Sequence, residues 1–443
     1  MSTAPDDDAA ERSPAPAPAA LAATHRAIEA VWRIEAARVI AGIARMVRDV
    51  GLAEELAQDA LVAALEQWPA SGVPDNPGAW LTAIGKRRAI DLIRRNERLE
   101  RKLEEIGRDL DTNGPAPGPE DEASFDEDID DDVLRLIFTA CHPVLSTEAR
   151  VALTLRMLGG LTTDEIARAF LITEATVAQR IVRAKKTLGK ANVPFEVPEG
   201  EDRAARLGSV LEVVYLIFNE GYSATAGDDW LRPALCEEAL RLGRVLAGLA
   251  PKEPEVHGLV ALMEIQASRS RARVGPDGEP VLLLDQNRAR WDQLLIRRGL
   301  TALARAEELG GAAGPYALQA AIAACHARAR TAEETDWDRI AALYAALGAL
   351  MPSPIVELNR AVAVGMARGP AAGLEIVDEL TDAPALRSYH LLPSVRGDLL
   401  FKLGRFGEAR AEFERAATMT RNEREIALLR RRAEEAEEAG AAG

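Results

Sequence analysis

Apolar residues recur at helical spacing along most of this 443-residue chain, and no stretch keeps the apolar–polar alternation of a half-buried strand. Long stretches lack Gly and Pro, while Ala, Leu, Glu and Arg, which suit helices, dominate the composition. The pattern therefore predicts an all-α protein in which helices pack through apolar stripes.

Residues 160–190 have the pattern of two short helices joined by a turn at Leu171 and Ile172. Thr162 or Thr163 is placed to cap the first helix, and Thr173 to cap the second. Each helix has one apolar face, which carries Ile166, Ala167 and Phe170 on the first and Val177, Ile181 and Leu188 on the second. The pattern predicts a helix-turn-helix.

The opposite face of the second helix is basic, and no acidic residue occurs from Ala175 to Lys190. Its cations are Arg180, Arg183, Lys185, Lys186 and Lys190. A helix that enters the major groove of DNA needs cations for phosphates and short polar residues near its N-terminus for base edges. An ordinary helical hairpin with a solvated basic face would show the same pattern.

Two further amphipathic helices are predicted nearer the N-terminus. In residues 53–68 the apolar stripe consists of Leu56, Ala60, Leu61, Ala64 and Leu65, and the acidic outer face of Glu54, Glu55, Gln58 and Asp59. The next helix has an apolar stripe of Trp80, Leu81, Ile84 and Ile90 and a basic stripe of Lys86, Arg87, Arg88, Arg94 and Arg95. Aromatic residues beside cations suit single-stranded DNA; a solvated basic helix with Trp80 in the core is the alternative.

The C-terminal part of the chain carries helical hairpins. In residues 397–419, Gly397 and Leu400 are predicted in one helix, a turn follows at Gly404, and Ala409 and Phe413 lie in the next helix. Small residues that let helices approach, with aromatics between them, are typical of tetratricopeptide-like (TPR-like) arrays. Residues 339–347, and 357–367 with 371–380, look like degenerate units. A generic antiparallel hairpin is the alternative.

Residues 272–284 break the helical pattern. The turn sequence Pro276-Asp277-Gly278 between β-prone flanks predicts one small β-hairpin. The segment that follows brings Asp285, Arg288, Arg290, Trp291 and Asp292 close together. It predicts an Asp–Arg network with Trp291 packed in the core; an interaction patch is the alternative.

Charge is distributed unevenly. The formal net charge is −16, yet residues 86–102 carry eight Lys or Arg against three acidic residues, and residues 120–132 carry nine acidic residues and no basic one. The shifts in charge and composition along the chain predict five parts. They are a disordered tail (1–22), a helical unit (23–100), an acidic linker (101–132), a helix-turn-helix domain (133–193) and a TPR-like helical domain (203–439).

Enzymatic chemistry has no support in the sequence. The chain has no GxxxxGK[ST] loop, HExxH or G-x-S-x-G motif, and its five histidines lie far apart without metal-ligand spacing. We therefore predict no catalytic residue, no metal and no cofactor. Cys141, Cys236 and Cys325 lie in apolar helical contexts and predict buried, reduced thiols in a cytoplasmic protein. No apolar stretch is long enough to span a membrane.

The order of these parts resembles the sigma-70 family of bacterial RNA polymerase initiation factors, in its extracytoplasmic-function (group IV) class. An acidic helix, a loop, the segment NPGAWLTAIGKRRAIDLIRR, an acidic linker and a helix-turn-helix follow one another over residues 23–192. Many relatives have Ala-Arg-Asn where this chain has Gly85-Lys86-Arg87. Segments such as VVYLIFNEGYSA, LLLDQNRARWD and SPIVELNRAVAVG are similar to the TPR-like extension of one subgroup.

The resemblance implies two partners, core RNA polymerase and promoter DNA, and a role in promoter-specific initiation. The polymerase would contact Glu54, Glu55, Gln58 and Asp59. The −10 element would be opened and read by Trp80, Lys86, Arg87, Arg88, Asp91, Arg94 and Arg95, with the loop 69–77. The −35 element would be read by Glu174, Thr176, Gln179, Arg180, Arg183, Lys185 and Lys186. The C-terminal domain would regulate or assist, as a binding site for a protein or peptide.

Two other functions stay open. A ligand- or peptide-responsive helix-turn-helix regulator would bind specific DNA without core polymerase. A TPR-like scaffold would capture partners without promoter specificity.

Overall fold

The computed structural model describes residues 18–107, 129–170, 172–222, 232–275, 281–420 and 422–442. Within these ranges the chain is helical and has no sheet, so the all-α prediction is confirmed. The first seven helices are α1 (Pro18–Val47), α2 (Val50–Ser71), α3 (Pro77–Gly107), α4 (Ile129–Ala140), α5 (Thr147–Met157), α6 (Thr163–Phe170) and α7 (Glu174–Lys190).

Eleven more helices follow in the described residues. They are α8 (Gly200–Tyr222), α9 (Pro233–Leu249), α10 (Pro254–Ala267), α11 (Gln293–Glu308), α12 (Pro315–Arg328), α13 (Trp337–Leu350), α14 (Pro354–Arg368), α15 (Pro370–Glu379), α16 (Leu391–Lys402), α17 (Phe406–Ala417) and α18 (Glu423–Ala442). Short 3₁₀ helices occur at Ser270–Ala272, Arg288–Arg290 and Pro384–Leu386.

The chain forms two compact units. The first contains residues 1–166 and 177–206, and the second contains residues 167–176 and 207–443. Helix α1 begins at Pro18, inside the predicted tail 1–22, and the rest of that tail lies outside the described residues. Helix α3 ends inside the predicted linker 101–132, and helix α4 begins inside it. Residues 108–128 of that linker also lie outside the described residues.

In the first unit, the long helix α1 packs against α2, α3, α4 and α5. Its core positions Ala36, Val39, Ile40 and Ile43 recur every three or four residues and are fully buried. On α2 the predicted burial of Leu56, Ala60 and Ala64 is confirmed, but Leu65 is exposed because the buried stripe continues through Trp68 instead.

On α3 the predicted burial of Leu81 is confirmed, and that of Ile90 is wrong. The small residues Gly85 and Ala89 face α1 instead, because the two helices lie too close for a larger side chain. A Cβ atom on Gly85 would lie 2.5 Å from Cδ1 of Ile43.

In the second unit most helices pack against the next helix in sequence, and α10 also packs against α12. Leu400, Ala409 and Phe413 join one buried cluster between α16 and α17, as predicted from the spacing. A Cβ atom on Gly397 would lie 2.9 Å from the Phe413 ring, so glycine lets the two helices approach. The hairpin prediction for residues 397–419 is confirmed.

The segment around residues 272–292 departs partly from its prediction. The turn Pro276–Gly278 lies outside the described residues, and its described flanks do not confirm a hairpin: Val274 is a single bridge residue, and Val281 N donates to Arg273 O at 2.8 Å. Trp291 is buried, as predicted. The Asp–Arg network is wrong for the described residues, since Asp292 accepts hydrogen bonds from Leu294 N and Leu295 N as the cap of α11.

All three cysteines are buried free thiols, as predicted. Burial raises the pKa of Cys141 to about 11 and that of Cys236 to about 12. Across the described part of the chain, no helix is long and apolar enough to cross a membrane, and no group of His, Cys, Asp and Glu is arranged to hold a metal ion.

Candidate nucleic-acid interface

Trp80 lies near the start of α3, where Asn76 caps the helix. The Asn76 side chain accepts a hydrogen bond from Ala79 N at 3.0 Å, and its carbonyl oxygen accepts one from Trp80 N at 3.2 Å. The Trp80 ring packs edge-on against buried Trp68, with 5.3 Å between centroids, and stays partly exposed. One ring face is therefore anchored while part of the indole remains accessible to a base.

The predicted basic stripe on α3 is largely solvent-facing. Arg87, Arg94 and Arg95 are exposed, as is Asp91, whereas Lys86 is half-buried. Arg88 differs because its guanidinium pairs with Asp59 at 2.6 Å. This ion pair joins a residue predicted for DNA to one predicted for polymerase.

The predicted acidic face of α2 contains one error. Glu55 and Asp59 are exposed and Gln58 is half-buried, but Glu54 is buried, with 4% of its surface accessible. Helical spacing alone places Glu54 near the edge of the apolar stripe, and only its tertiary partners decide whether it faces water.

The helix-turn-helix forms as predicted, with Thr162 as the first cap. Thr162 Oγ1 accepts from Glu165 N at 3.1 Å, and Glu165 Oε2 accepts from Thr162 N at 2.9 Å, which is a reciprocal capping box. Thr173 Oγ1 accepts from Thr176 N at 3.2 Å and so caps α7. Leu171 lies outside the described residues, and Ile172 N donates to Ala167 O at 3.1 Å in the turn.

Helix α7 buries Val177, Ile181 and Leu188, so its predicted apolar face is confirmed. The other face presents most of the residues predicted to read DNA. Glu174, Gln179, Arg183 and Lys186 are exposed, and Thr176 and Arg180 are half-buried. Their placement on the open side of a short capped helix, with the cations toward the middle, matches what a major-groove helix needs.

Lys185 is the exception on α7. Its ammonium lies 2.5 Å from Glu54 Oε2, and 16% of its side chain is exposed. Arg156 of α5 also pairs with Glu54, at 3.0 Å between Nε and Oε1, and donates to Leu161 O at 3.1 Å. One buried carboxylate of α2 thus holds two cations from the helix-turn-helix part of the first unit.

Other contacts within the first unit join the same parts. Arg33 of α1 pairs with Glu165 of α6, and Arg45 of α1 lies 3.7 Å from Asp132 of α4. Sequence reasoning missed Arg156 and Arg33 because ion pairs between residues more than a hundred positions apart leave no local pattern. Glu54 pairs with Arg156, and Glu165 pairs with Arg33.

Three families match the chain. Residues 33–99 match "Sigma-70 region 2", residues 135–188 match "Sigma-70, region 4", and residues 206–307 match a "Family of unknown function (DUF6596)". The first match covers α2, the second half of α1 and most of α3, and the second match covers the helix-turn-helix.

Two kinds of relative are similar to the chain. An uncharacterized protein of Rhizobium meliloti (strain 1021) is 44% identical over 400 residues, which cover 89% of this chain and 92% of that protein. A "Probable ECF RNA polymerase sigma factor SigI" of Mycobacterium tuberculosis, from two strains, is 25% identical over 181 residues, which cover 40% of this chain and 60% of that protein.

Among solved structures, the chain is similar to the crystal structure of yeast Tom70, with a TM-score of 0.30 and 12% sequence identity. The superposition covers 94% of this chain and 84% of Tom70. A TM-score this low does not establish a shared fold.

Proposed function

Because this chain belongs to the extracytoplasmic-function class of the sigma-70 family, we propose that it binds core RNA polymerase and directs initiation at a specific set of promoters. The observation that carries the proposal is that one chain has two exposed basic surfaces, each suited to a different form of DNA. One is the basic stripe beside the partly exposed Trp80 on α3, and the other is the polar and basic face of α7.

We assign the α3 surface to the −10 element. Opening a duplex exposes bases that stack on aromatic side chains, while cations attract the separated strand. Trp80 supplies the ring, and the free ends of Arg87, Arg94 and Arg95 supply the cations, with Lys86, Arg88 and Asp91 on the same helix. The loop 69–77 would hold the flipped bases.

We assign the α7 surface to the −35 element. Glu174, Thr176 and Gln179 lie toward the N-terminal end, where a recognition helix meets base edges. Arg180, Arg183 and Lys186 follow and would contact phosphates or guanine. Lys185 can join them only after it leaves Glu54.

We propose that the first unit opens when the holoenzyme engages a promoter. The −10 and −35 elements are 25 base pairs apart by their names, which corresponds to roughly 85 Å at about 3.4 Å per base pair. Glu54 and Lys185 lie in direct contact, and the 17 residues of α7 span only about 26 Å at 1.5 Å per residue. Because that ion pair holds α2 against α7, we expect it to break when the two surfaces reach both elements.

The exposed acidic residues Glu55 and Asp59, with Gln58, form the proposed polymerase-binding surface. Glu54 would contribute to it only after release from Arg156 and Lys185. Opening therefore frees a polymerase contact and a DNA contact in one step.

We also propose that the second unit controls the helix-turn-helix. Residues 167–176, which include the end of α6 and the start of α7, belong to the second unit, and within it Arg232 donates to Ala169 O at 2.5 Å. A protein or peptide bound to the helical hairpins would act through such contacts.

The experiment that tests the proposal is gel filtration of the purified full-length chain with core polymerase, followed by mapping of DNA bound by the complex. Co-elution and binding at discrete promoters support it. Specific DNA binding without polymerase would favour the ligand-responsive regulator, and partner capture without promoter specificity would favour the scaffold.

A further inference from the structure

Three guanidinium groups are buried together in the second unit, where α10 ends and the 3₁₀ helices begin. Arg269, Arg273 and Arg288 are each 9% exposed. They alternate with aromatic rings: Arg273 lies 3.7 Å from the Tyr222 ring centroid, Arg269 lies 5.9 Å from those of Tyr222 and Trp291, and Arg288 lies 5.1 Å from that of Trp291. We call these five residues, with His326, the Arg269 cluster.

Carboxylates near the Arg269 cluster have partners outside it, although Glu264 Oε2 is buried without a hydrogen-bond partner and the charges of Glu333 and Glu334 act on Arg288. Glu264 on α10 pairs with Arg244 at 2.7 Å, and Glu220 pairs with Arg232. Asp292 caps α11. Among the described residues, no carboxylate lies within ion-pair distance of Arg269 or Arg288.

Main-chain oxygens accept hydrogen bonds from two of the three guanidinium groups. Arg273 donates to Tyr222 O, and Arg288 donates to His326 O at 2.8 Å and Ala329 O at 2.9 Å. The Arg269 guanidinium lies over the two aromatic rings of Tyr222 and Trp291. A desolvated cation–π contact compensates only part of the free energy that burying an ion costs.

Hydrogen-bond donors are left over in the same place. In the described part of the chain, Arg269 Nε, Arg288 Nε and Trp291 Nε1 are buried nitrogens without a hydrogen-bond partner, and so is His326 Nδ1. The Nε atoms and the indole nitrogen can only donate, so each lacks an acceptor. An unpaired buried donor retains its full desolvation cost, so these groups need an acceptor that the described residues do not provide.

The local potential is strongly positive. Burial and the charges of Arg269 and Arg288 lower the pKa of His326 to about 3, so its ring stays neutral. Burial lowers the pKa of Arg288; the charges of Glu333 and Glu334 oppose this shift and the charge of Arg269 adds to it. An anion at this position would be attracted by the charges of Arg269, Arg273 and Arg288.

A surface depression reaches Trp291 from solvent. It is lined by Ser270, Arg271, Val274, Arg290 and Gln293, among others. Arg271 and Arg290 are exposed at this depression and add positive charge along the approach.

We propose that the Arg269 cluster binds the phosphate or carboxylate group of a small anionic ligand. The oxygens of that group accept hydrogen bonds from Arg269 Nε, Arg288 Nε and Trp291 Nε1, which compensates the buried charge. Such a site would make the second unit a ligand sensor. This proposal does not depend on whether the first unit acts on promoters.

The test uses the full-length chain, titrated with inorganic phosphate or with acetate against chloride at equal ionic strength. Thermal unfolding should shift upward by about 3 °C or more at saturation, because a ligand that binds only the folded state stabilises it. Calorimetry should give one site per chain. Stabilisation by phosphate assigns a phosphate ligand, and stabilisation by acetate assigns a carboxylate ligand.

Arg269→Met should weaken the binding at least tenfold, and Trp291→Phe, which keeps the ring but removes the donor, should weaken it severalfold. Arg298→Met on the exposed face of α11 is the matched control and should bind as the unaltered chain does. The proposal is overturned if neither anion stabilises the unaltered chain. It is also overturned if Arg269→Met and Trp291→Phe respond to the anion as the control does. If Arg269→Met does not fold, the Trp291→Phe comparison decides.

Discussion

At the scale of single residues, Glu54 is a position in the first unit where we expect a substitution to reduce stability. It is buried with two cations that come from α5 and α7, more than a hundred residues away along the chain. Removing one member of a buried ionic group leaves the others uncompensated, which costs more than the group contributes as a whole. The same residue controls whether Lys185 is available.

Replacement of Glu54 by Gln should lower the free energy of unfolding by about 2 kcal/mol, since Arg156 and Lys185 lose their carboxylate but retain some contact with water. Urea denaturation measures the change. Glu66→Gln is the matched control at an exposed position of the same helix and should change stability by less than about 0.5 kcal/mol.

The thiols give a second prediction at this scale. Because burial raises the pKa of Cys141 to about 11 and of Cys236 to about 12, neither is ionised near pH 8 in the folded chain. Both should react with a disulfide reagent such as DTNB far more slowly in buffer than in urea, where ordinary thiol pKa values return. Equal rates in the two solutions would show that these thiols are not buried.

At the scale of elements, the sequence predicts what depends on local spacing. The caps at Thr162 and Thr173, the buried face of α7 and the α16–α17 hairpin all follow from residue types three or four positions apart. The wrong predictions concern residues whose burial depends on contacts with parts of the chain distant in sequence. Glu54 is buried by distant cations, and Ile90 is exposed because α1 lies close to α3 at Gly85. The Arg269 cluster gathers residues from α8, α12 and the segments around two 3₁₀ helices, so no single stretch shows it.

The α3 surface can be tested as an element. A variant with alanine at Lys86, Arg87, Arg94 and Arg95 should bind core polymerase as before but give less melted promoter DNA, because the cations that hold the open strand are gone. Permanganate reactivity of thymines reports the melting. Alanine at Arg297 and Arg298, both exposed on α11, is the control for lost charge. Equal melting in both variants would mean that the α3 charges are only solvated.

The assignment of the α7 surface to the −35 element can be tested by comparing alanine variants of two arginines. Replacing a residue that contacts a base in bidentate fashion should cost about 1–3 kcal/mol and relax one promoter position, whereas losing a phosphate contact should weaken all promoters alike. Arg180→Ala and Arg183→Ala holoenzymes should each show one of these results in binding assays on a −35 mutant series. Unchanged affinity in both would remove α7 from the interface.

At the scale of the whole molecule, a formal net charge of −16 disfavours general affinity for DNA, so binding must come from the confined basic surfaces of α3 and α7. The start of α7 belongs to the second unit, where Arg232 contacts Ala169. Control of the first unit by the second is therefore expected to act on the helix that reads DNA.

Arg232→Ala should change promoter binding by the holoenzyme, since it releases Ala169, whereas Arg241→Ala, whose partner Glu238 lies on its own helix, should not. Tighter binding would show that the second unit restrains α7, and weaker binding that it supports α7. Identical behaviour of the two variants would contradict control through this contact.

The central claim is that this chain gives core RNA polymerase its promoter specificity. Run-off transcription on genomic DNA, with core polymerase and the purified full-length chain under reducing conditions, measures it directly. We expect transcripts from a discrete set of start sites that are absent with core polymerase alone. Transcription that is the same with and without the chain, although the chain is folded, would contradict the account.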